Sequence, residues 1–488
     1  MKPGPGGTSD VCMIVEGAYP YVTGGVASWL QELMTSLPEL SFSIVAIKAN
    51  ERPQPWQVSP PANVVEIIEV PLSRSHTRRY PFDPAVVDRI GRLLLTFLMD
   101  GDLADLGALT QAIARLPSGS EAHQIVAAPE IFALLTQYYE VHLGTASFHH
   151  FFWAMQILLG GLLAVLAAPL PRARVYHTLS TGYSGLMAAR ARLETARPAL
   201  LTEHGIYLLE RQIEIMMVDW LGDQIETGLG LERDCFDLTD LWGRAFESYG
   251  RACYDACDPI VSLYGANSQV QKRLGADDAR LRIIPNGIRL ERFAGIVPQP
   301  SPRPLLVALI GRVVPIKDIK TFIRAAALAR LQVPEARFVV LGPEDEDPDY
   351  SGECRALVDE LDLVEAFTFA GRVNVAEWLG RIDLVVLTSL SEAQPLVILE
   401  AGACGIPAIA PDVGSCRELL EGSSGSAGGV ITALVDPEAT ANAMVRLLRD
   451  PELRHSMGEA MRERVRRDYD WSGIVAQYRD LYHDLSAS

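Results

Sequence analysis

The segment LVVLTSLSEAQPLVILEAGACGIPAIAPDVGSCREL carries two glutamates, Glu392 and Glu400, separated by seven residues. The apolar run Leu384–Leu387 reads as a buried strand, and Pro395 falls where a helix would start. Glu392 is then just before the helix and Glu400 is inside it, less than two turns on. Both carboxylates can point into the space above the sheet's carboxyl edge. A carboxylate accepts two hydroxyl hydrogen bonds well, so this pair suits a ribose or a hexose. The N–H groups of Gln394, Leu396 and Val397 crown the same helix start, where they suit a phosphate or a sugar hydroxyl. Upstream, GRVVPIKDIKTF puts Arg312 at a strand end, with Lys317 opening the next helix. A fork donor and a point-charge donor at one sheet edge suit a diphosphate. Taken singly, each of these side chains is ordinarily a solvated surface charge. Their combination at these spacings points to a phosphorylated, hydroxyl-rich ligand.

Such a site needs a sheet edge to hold it. VCMIVEG (Val11–Gly17), a loop to Thr23, the pair Gly24-Gly25 and VASWLQELMTSL read as strand, glycine loop and helix. FSIVAIK (Phe42–Lys48) is a second strand, and the alternation argues for a parallel α/β sheet. From about Pro84 to Ala168 the pattern is helical and reads as an insertion. The sheet resumes with ARVYHTL, helix GYSGLMAARARL and ALLTEHG, then helices to about Ala256, then PIVSLY and RIIPNGI. GIVPQPSPRP (Gly295–Pro304) is the linker candidate. Beyond it the alternation restarts, and the tail from Pro437 is helical. The expected organisation is an N-terminal Rossmann-like domain over 1–294, a C-terminal one over 305–460, and a helical tail over 461–488 packing back on the first. Two such domains leave a cleft, the usual ligand site of open α/β sheets.

The 488 residues are 49% apolar and 21% charged, with a net charge of −18. That surface repels nucleic acid, which argues against a sequence-independent DNA or RNA binder. Seven cysteines with no CxxC pair read as reduced, buried thiols of a cytoplasmic protein. The opening MKPGPGGTSDVCMIVEG lacks the apolar core of a secretory signal. Phe151–Leu170 is long enough to span a bilayer and has one polar side chain, Gln156. Gly160, Gly161 and Pro169 interrupt it, and a core-like strand follows, so a helix buried in the N-terminal domain is expected.

GRVVPIKD followed by SEAQPLVILEAGACGIPAIAPDVGSCRE resembles the retaining GT-B glycosyltransferases of family 4. The likeness is strong from about Ile283 to Arg449. VEGAYPYVTGGVASW, VYHTLSTGYSGL, LLTEHGIYLLER and LGPEDEDPDY resemble one subgroup, the PelF-type glycosyltransferases of Pel exopolysaccharide assembly. The resemblance implies two Rossmann-like domains and a UDP-sugar donor. It also implies a polysaccharide acceptor, inner-membrane Pel synthase proteins as partners, and a cytoplasmic location. By the same resemblance, Glu400 binds the nucleotide ribose, and Glu392 binds hydroxyls of the transferred sugar. Arg312 and Lys317 neutralise the leaving diphosphate. Gly24 and Gly25 let backbone approach the donor phosphates and the acceptor. His204 sits near the reacting sugar; a satisfied core histidine is the lesser alternative for it. His177 fits the core reading better. Arg372 and Val373 resemble the base-contacting loop, Glu418 the ribose–phosphate end, and Asn286-Gly287 the turn before the hinge. One departure stands out: many members have Glu-Gly where this chain has Glu392-Ala393.

The run Asp345-Glu346-Asp347-Pro348-Asp349 holds D-x-D twice, the metal signature of the other major glycosyltransferase fold. It follows VVLGP inside the second sheet domain, and the same spacing recurs at Asp100–Asp102 and Asp468–Asp470. Metal-free chemistry is therefore expected, with Arg312, Lys317 and helix termini supplying positive potential. A UDP-sugar 2-epimerase on the same fold and a non-catalytic nucleotide-sugar-binding subunit are the alternatives.

Overall fold

The computed structural model describes residues 7–22, 24–73, 82–116, 122–143, 147–216, 238–296, 303–422 and 425–487. The chain divides into two units. Unit 1 holds Met1–Ser262, Asn267–Ile283 and Tyr478–Ser488, and unit 2 holds Leu263–Ala266 and Ile284–Gln477.

Unit 1 is built on seven strands: β1 (Ser9–Glu16), β2 (Phe42–Asn50), β3 (Val64–Ser73), β4 (Ala173–Thr178), β5 (Ala199–Glu203), β6 (Ile260–Ser262) and β7 (Leu281–Ile283). They run parallel in the order β3-β2-β1-β4-β5-β6-β7. Val11 to Ile14 of β1 are fully buried, as a strand covered on both faces requires. Helix α1 (Gly25–Ser36) follows β1. Four helices, α2 (Pro84–Asp100), α3 (Leu103–Ala114), α4 (Pro129–His142) and α5 (Phe148–Ala167), lie between β3 and β4. Then come α6 (Tyr183–Thr195), α7 (Tyr207–Met216), α8 (Leu238–Ala256) and α9 (Gly265–Arg273).

The strand β3 is not apparent from the sequence pattern, because Glu66, Glu69 and Pro71 break its apolar run. It is an edge strand, where a proline's missing N–H is tolerated. Lys48 of β2 pairs with Glu69 at 2.7 Å. Helix α5 begins at Phe148, with the Ser147 hydroxyl accepting from the His150 N–H at 3.4 Å. Phe151, Leu158, Leu159, Leu162 and Leu163 lie in the unit 1 core, while Trp153 and Ile157 are 52% and 51% exposed.

Unit 2 has six parallel strands: β8 (Leu306–Ile310), β9 (Arg337–Leu341), β10 (Phe367–Phe369), β11 (Leu384–Val386), β12 (Ala408–Pro411) and β13 (Gly429–Thr432). Their order is β10-β9-β8-β11-β12-β13. Its helices are α10 (Ile319–Arg330), α11 (Pro348–Glu360), α12 (Ala376–Leu379), α13 (Leu396–Ala403), α14 (Cys416–Glu421), α15 (Pro437–Arg449), α16 (Pro451–Asp468) and the start of α17 (Trp471–Ala487). Both sheets reverse their strand order beside their first strand, at β1/β4 and at β8/β11. In open α/β sheets, ligands bind outside the carboxyl ends at that switch point.

The division between units falls at Ile284, ahead of the Pro-rich stretch expected to be the linker. Ile288 and Phe293 are buried with Ile398 and Leu399 in the unit 2 core, which ties 284–296 to that unit. The tail divides as well: α16 and the first residues of α17 belong to unit 2, and only Tyr478 onward belongs to unit 1. Residues 297–302 of the linker, 217–237 of the expected helical stretch (Cys235 among them) and Thr23 lie outside the described residues. The six described cysteines are buried free thiols.

Candidate functional site

Strands β8 and β11 are neighbours, with Leu384 opposite Val307, and each releases a loop at its carboxyl end. After β8 the chain turns through a short 3-10 segment, Pro315–Lys317, and α10 starts only at Ile319. Lys317 therefore precedes the helix, where the sequence places it in the first turn. The cause is Asp318, held left-handed at φ 44, ψ 55, whose carboxylate caps α10 by accepting from the Thr321 N–H at 3.3 Å. Such a conformation costs a non-glycine residue about 1–3 kcal/mol and needs surroundings that enforce it. Thr388, just past β11, supplies them: its hydroxyl reaches the carbonyl oxygens of Lys317 at 3.0 Å and Asp318 at 2.8 Å. The Leu390 N–H donates to the Ile316 carbonyl at 2.8 Å. The two loops are thus bonded into one rim.

On that rim Lys317 Nζ donates to Glu392 Oε1 at 2.5 Å, and Ser389 Oγ donates to the same oxygen at 2.6 Å. Both side chains of the ion pair are mostly buried. Among the described residues Glu392 Oε2 has no hydrogen-bond partner, which leaves it able to accept from a ligand hydroxyl. The loop beyond β12 supports Glu392 from behind. The Ser415 N–H donates to the Ala393 carbonyl at 2.8 Å. Gly414 has φ +53, and a Cβ there would lie 2.0 Å from the Glu392 carbonyl oxygen. Only glycine fits both the turn and the close approach.

Helix α13 starts after Pro395, and the Ile398 N–H already bonds the Pro395 carbonyl at 3.1 Å. The N–H groups of Leu396 and Val397 precede the helix's own ladder and are left for a ligand or water. Glu400 sits one face around the same helix. Burial pushes its carboxyl above the usual range, and the Arg292 guanidinium partly offsets that. The Gln394 side chain also serves the fold. It is buried, and its Oε1 accepts from the Asn286 N–H at 2.7 Å, fastening 284–296 to the rim.

Four further sequence candidates make contacts of their own. Arg312, 55% exposed, donates to Glu346 at 2.6 Å, and Arg372 lies 3.7 Å from Asp345 with both side chains exposed. Val373 packs on the unit 2 core. The Glu418 carboxylate accepts the N–H groups of Gly265 and Ala266, each at 3.0 Å, one on each oxygen. The acidic run is likewise occupied: Asp347 caps α11, accepting from the Tyr350 N–H at 3.0 Å, while Glu346 and Asp345 face the two arginines. Among the described residues there is no group of three or more His, Cys, Asp or Glu placed to hold a metal ion.

At the carboxyl edge of the unit 1 sheet, Gly24 caps α1 with an extended backbone (φ −162), and Gly25 follows. A Cβ on either would meet nothing within 4 Å, so neither turn geometry nor packing demands glycine here. His204 follows β5 with its ring edge-on to Trp29, centroids 4.7 Å apart. Its Nε2 has no hydrogen-bond partner among the described residues, and burial pulls its pKa down to about 4, so the imidazole is neutral at pH 7. His177 is a core residue: its nitrogens bond Tyr482 Oη at 2.7 Å and Thr202 Oγ1 at 2.9 Å. Sequence reasoning missed two acids at this edge, Glu16 at the end of β1 and Glu203 at the end of β5. Burial raises the pKa of each. A charge closing an apolar strand was the available signal.

Residues 9–279, more than half of the chain, match the family described as domain of unknown function DUF3492. The chain belongs to this family. Residues 297–464 of this DUF3492 protein match the family described as glycosyl transferases group 1, and its two Rossmann-like sheets match the fold of solved GT-B glycosyltransferases. Two solved structures share the fold across nearly the whole chain. Sucrose-phosphate synthase from Thermosynechococcus elongatus superposes with a TM-score of 0.60 at 19% identity, covering 98% of this chain and 99% of that one. Anabaena HepE in complex with UDP and glucose gives 0.56 at 14% identity, covering 97% and 99%. Among curated relatives, N-acetyl-alpha-D-glucosaminyl L-malate synthase of Bacillus anthracis is 32% identical over 171 residues, 35% of this chain and 43% of the relative. D-inositol 3-phosphate glycosyltransferase 2 of Catenulispora acidiphila is 29% identical over 249 residues, 47% and 56% respectively. The matched stretch thus spans about half the length of these relatives.

Proposed function

We propose that this DUF3492 protein is a retaining hexosyltransferase of glycosyltransferase family 4. It moves a sugar from a UDP-sugar donor to a growing exopolysaccharide, in PelF-type biofilm polysaccharide synthesis in the cytoplasm beside membrane-bound synthase partners. The observation that carries the reading is the Lys317–Glu392–Ser389 cluster at the β8/β11 switch point. It puts one cation, a carboxylate with an open oxygen and two helix-start N–H groups around one sheet edge. The names of the curated relatives support sugar transfer, and HepE, of like fold, was solved with UDP-glucose.

In this reading Lys317 and the N–H groups of Leu396 and Val397 meet the diphosphate, whose negative charge grows as the glycosidic bond breaks. Arg312 joins them by leaving Glu346, an exposed pairing that costs little to exchange. Glu392 Oε2 accepts a hydroxyl of the transferred sugar, and Glu400 the ribose. Gly24 and Gly25 leave backbone free to approach the donor, and neutral His204 stands at the reacting sugar as a hydrogen-bonding group. No protein nucleophile is required: the leaving diphosphate can take the acceptor's proton on the same face, and catalysis is positioning plus charge stabilisation. No metal is required.

The test is a screen of UDP-, GDP- and ADP-sugars, read by thermal shift and by sugar product. UDP-sugars should stabilise most, by mass action, and yield glycoside or polymer. Release of free epimerised sugar would make it a 2-epimerase, and UDP binding without turnover a non-catalytic subunit. A preference for GDP would remove the Pel assignment.

A further inference from the structure

Glu203 is fully buried, and its carboxyl group is surrounded by donors from four elements. Tyr254 Oη of α8 donates to Oε2 at 2.9 Å, and Gln271 Nε2 of α9 donates to the same oxygen at 2.8 Å. Thr181 Oγ1, after β4, and the N–H of Tyr207, opening α7, donate to Oε1, each at 3.3 Å. Gln271 is itself held through its Oε1 by the Ser262 hydroxyl of β6. Tyr207 extends the network: its phenol donates to Glu16 Oε1 at 2.8 Å, linking the ends of β1 and β5. The phenol ring occupies the place a side chain on residue 182 would take, since a Cβ on Gly182 would lie 2.3 Å from it.

His204, the next residue, has no such anchor. No hydrogen bond reaches its Nε2, and its ring is steadied by the edge contact with Trp29. β5 itself is held by its ladders to β4 and β6, but His204 lies beyond the strand, in the turn 203–207 that the Glu203 carboxyl closes by accepting from the Tyr207 N–H. An apolar residue at 203 would pack without the cost of burying a carboxyl group, so the group stands there for the hydrogen bonds it makes. We propose that Glu203 is a positioning residue that acts through His204, holding the imidazole where the sugar-transfer step needs it. The kinetic consequence rests on the transfer reading above; the placement of the ring does not.

The experiment joins two readouts on the full chain. In protein labelled with 15N-histidine, the His204 ring signals and titration are compared between wild type and Glu203→Gln. One carboxylate oxygen becomes an NH2 that cannot accept, so the ring should shift and titrate closer to an ordinary histidine. Tyr254→Phe removes a single donor and should move the ring less, in the same direction; it keeps the test open if Glu203→Gln unfolds. In turnover, Glu203→Gln should lower kcat at least tenfold with donor KM changed less than threefold. In a His204→Ala background the same change should do almost nothing, because residues acting through one another are not additive. Unmoved His204 signals in both folded variants, or full kinetic effects in the His204→Ala background, would overturn the proposal. Moved signals in a protein that turns over no donor would leave the positioning intact and sink the transfer reading instead.

Discussion

Lys317 Nζ and Glu392 Oε1 meet at 2.5 Å although they stand on loops that follow different strands, β8 and β11. The contact places a cation and an anion together at a switch point, with Ser389 on the same oxygen. Without a ligand the pair neutralises itself. A diphosphate entering the site would compete with Glu392 for the lysine, while Glu392 keeps Ser389 and turns its other oxygen to a sugar hydroxyl.

Gly414 should be intolerant of even a methyl group. At φ +53 an alanine costs about 1–2 kcal/mol from backbone strain alone. The added Cβ would also press on the Glu392 carbonyl. Gly414→Ala is expected to lower the melting temperature and reduce turnover together, because the loop that moves is packed against the one carrying Glu392. Denaturant melts beside kinetics check this; a variant with wild-type stability would show that the turn is not strained.

Acid should destabilise the fold partly through His177. Burial lowers its pKa from 6.5 to about 3. Between those values the unfolded chain binds a proton that the folded core refuses, so folding stability falls as pH drops below 6.5. The slope from one such group is at most about 1.4 kcal/mol per pH unit. His177→Gln should be less stable at pH 7 but should show a shallower loss between pH 6.5 and pH 5. Parallel stability-versus-pH curves for the two proteins would contradict the assignment.

The placement of the rim residues was legible because they are local in the chain. Glu392, Pro395 and Glu400 fall within one strand–loop–helix unit, and its periodicity gives their placement directly. Pairings across elements were not legible. Nothing in GRVVPIKD shows that Asp318 turns left-handed and holds Lys317 outside the helix, since that depends on Thr388, seventy residues away. The contacts of Glu418 with Gly265 and Ala266 were likewise hidden, because these partners are remote in sequence. Edge strand β3 was hidden by Pro71 and its acids, and Glu203 by its position at the end of a strand that otherwise reads as plain core.

Chelation should leave activity intact. The carboxylates of Glu346, Asp345 and Asp347 are taken up by Arg312, Arg372 and the α11 cap. Turnover in excess EDTA should equal the untreated rate. Activity lost to EDTA and restored by magnesium or manganese would show that those carboxylates gather around a cation during the reaction.

The most direct test of the account is the kcat of Lys317→Ala with a UDP-sugar and acceptor, with circular dichroism as the folding control. Lys317 is placed to meet charge that appears as the leaving diphosphate departs, so its loss should fall on kcat. Removing one such donor typically costs about 3–4 kcal/mol, roughly a hundred- to thousand-fold. A folded Lys317→Ala protein slowed by that factor is the predicted result. A folded variant with near wild-type kcat would show that this lysine does not stabilise the leaving group, and the donor site would have to lie elsewhere.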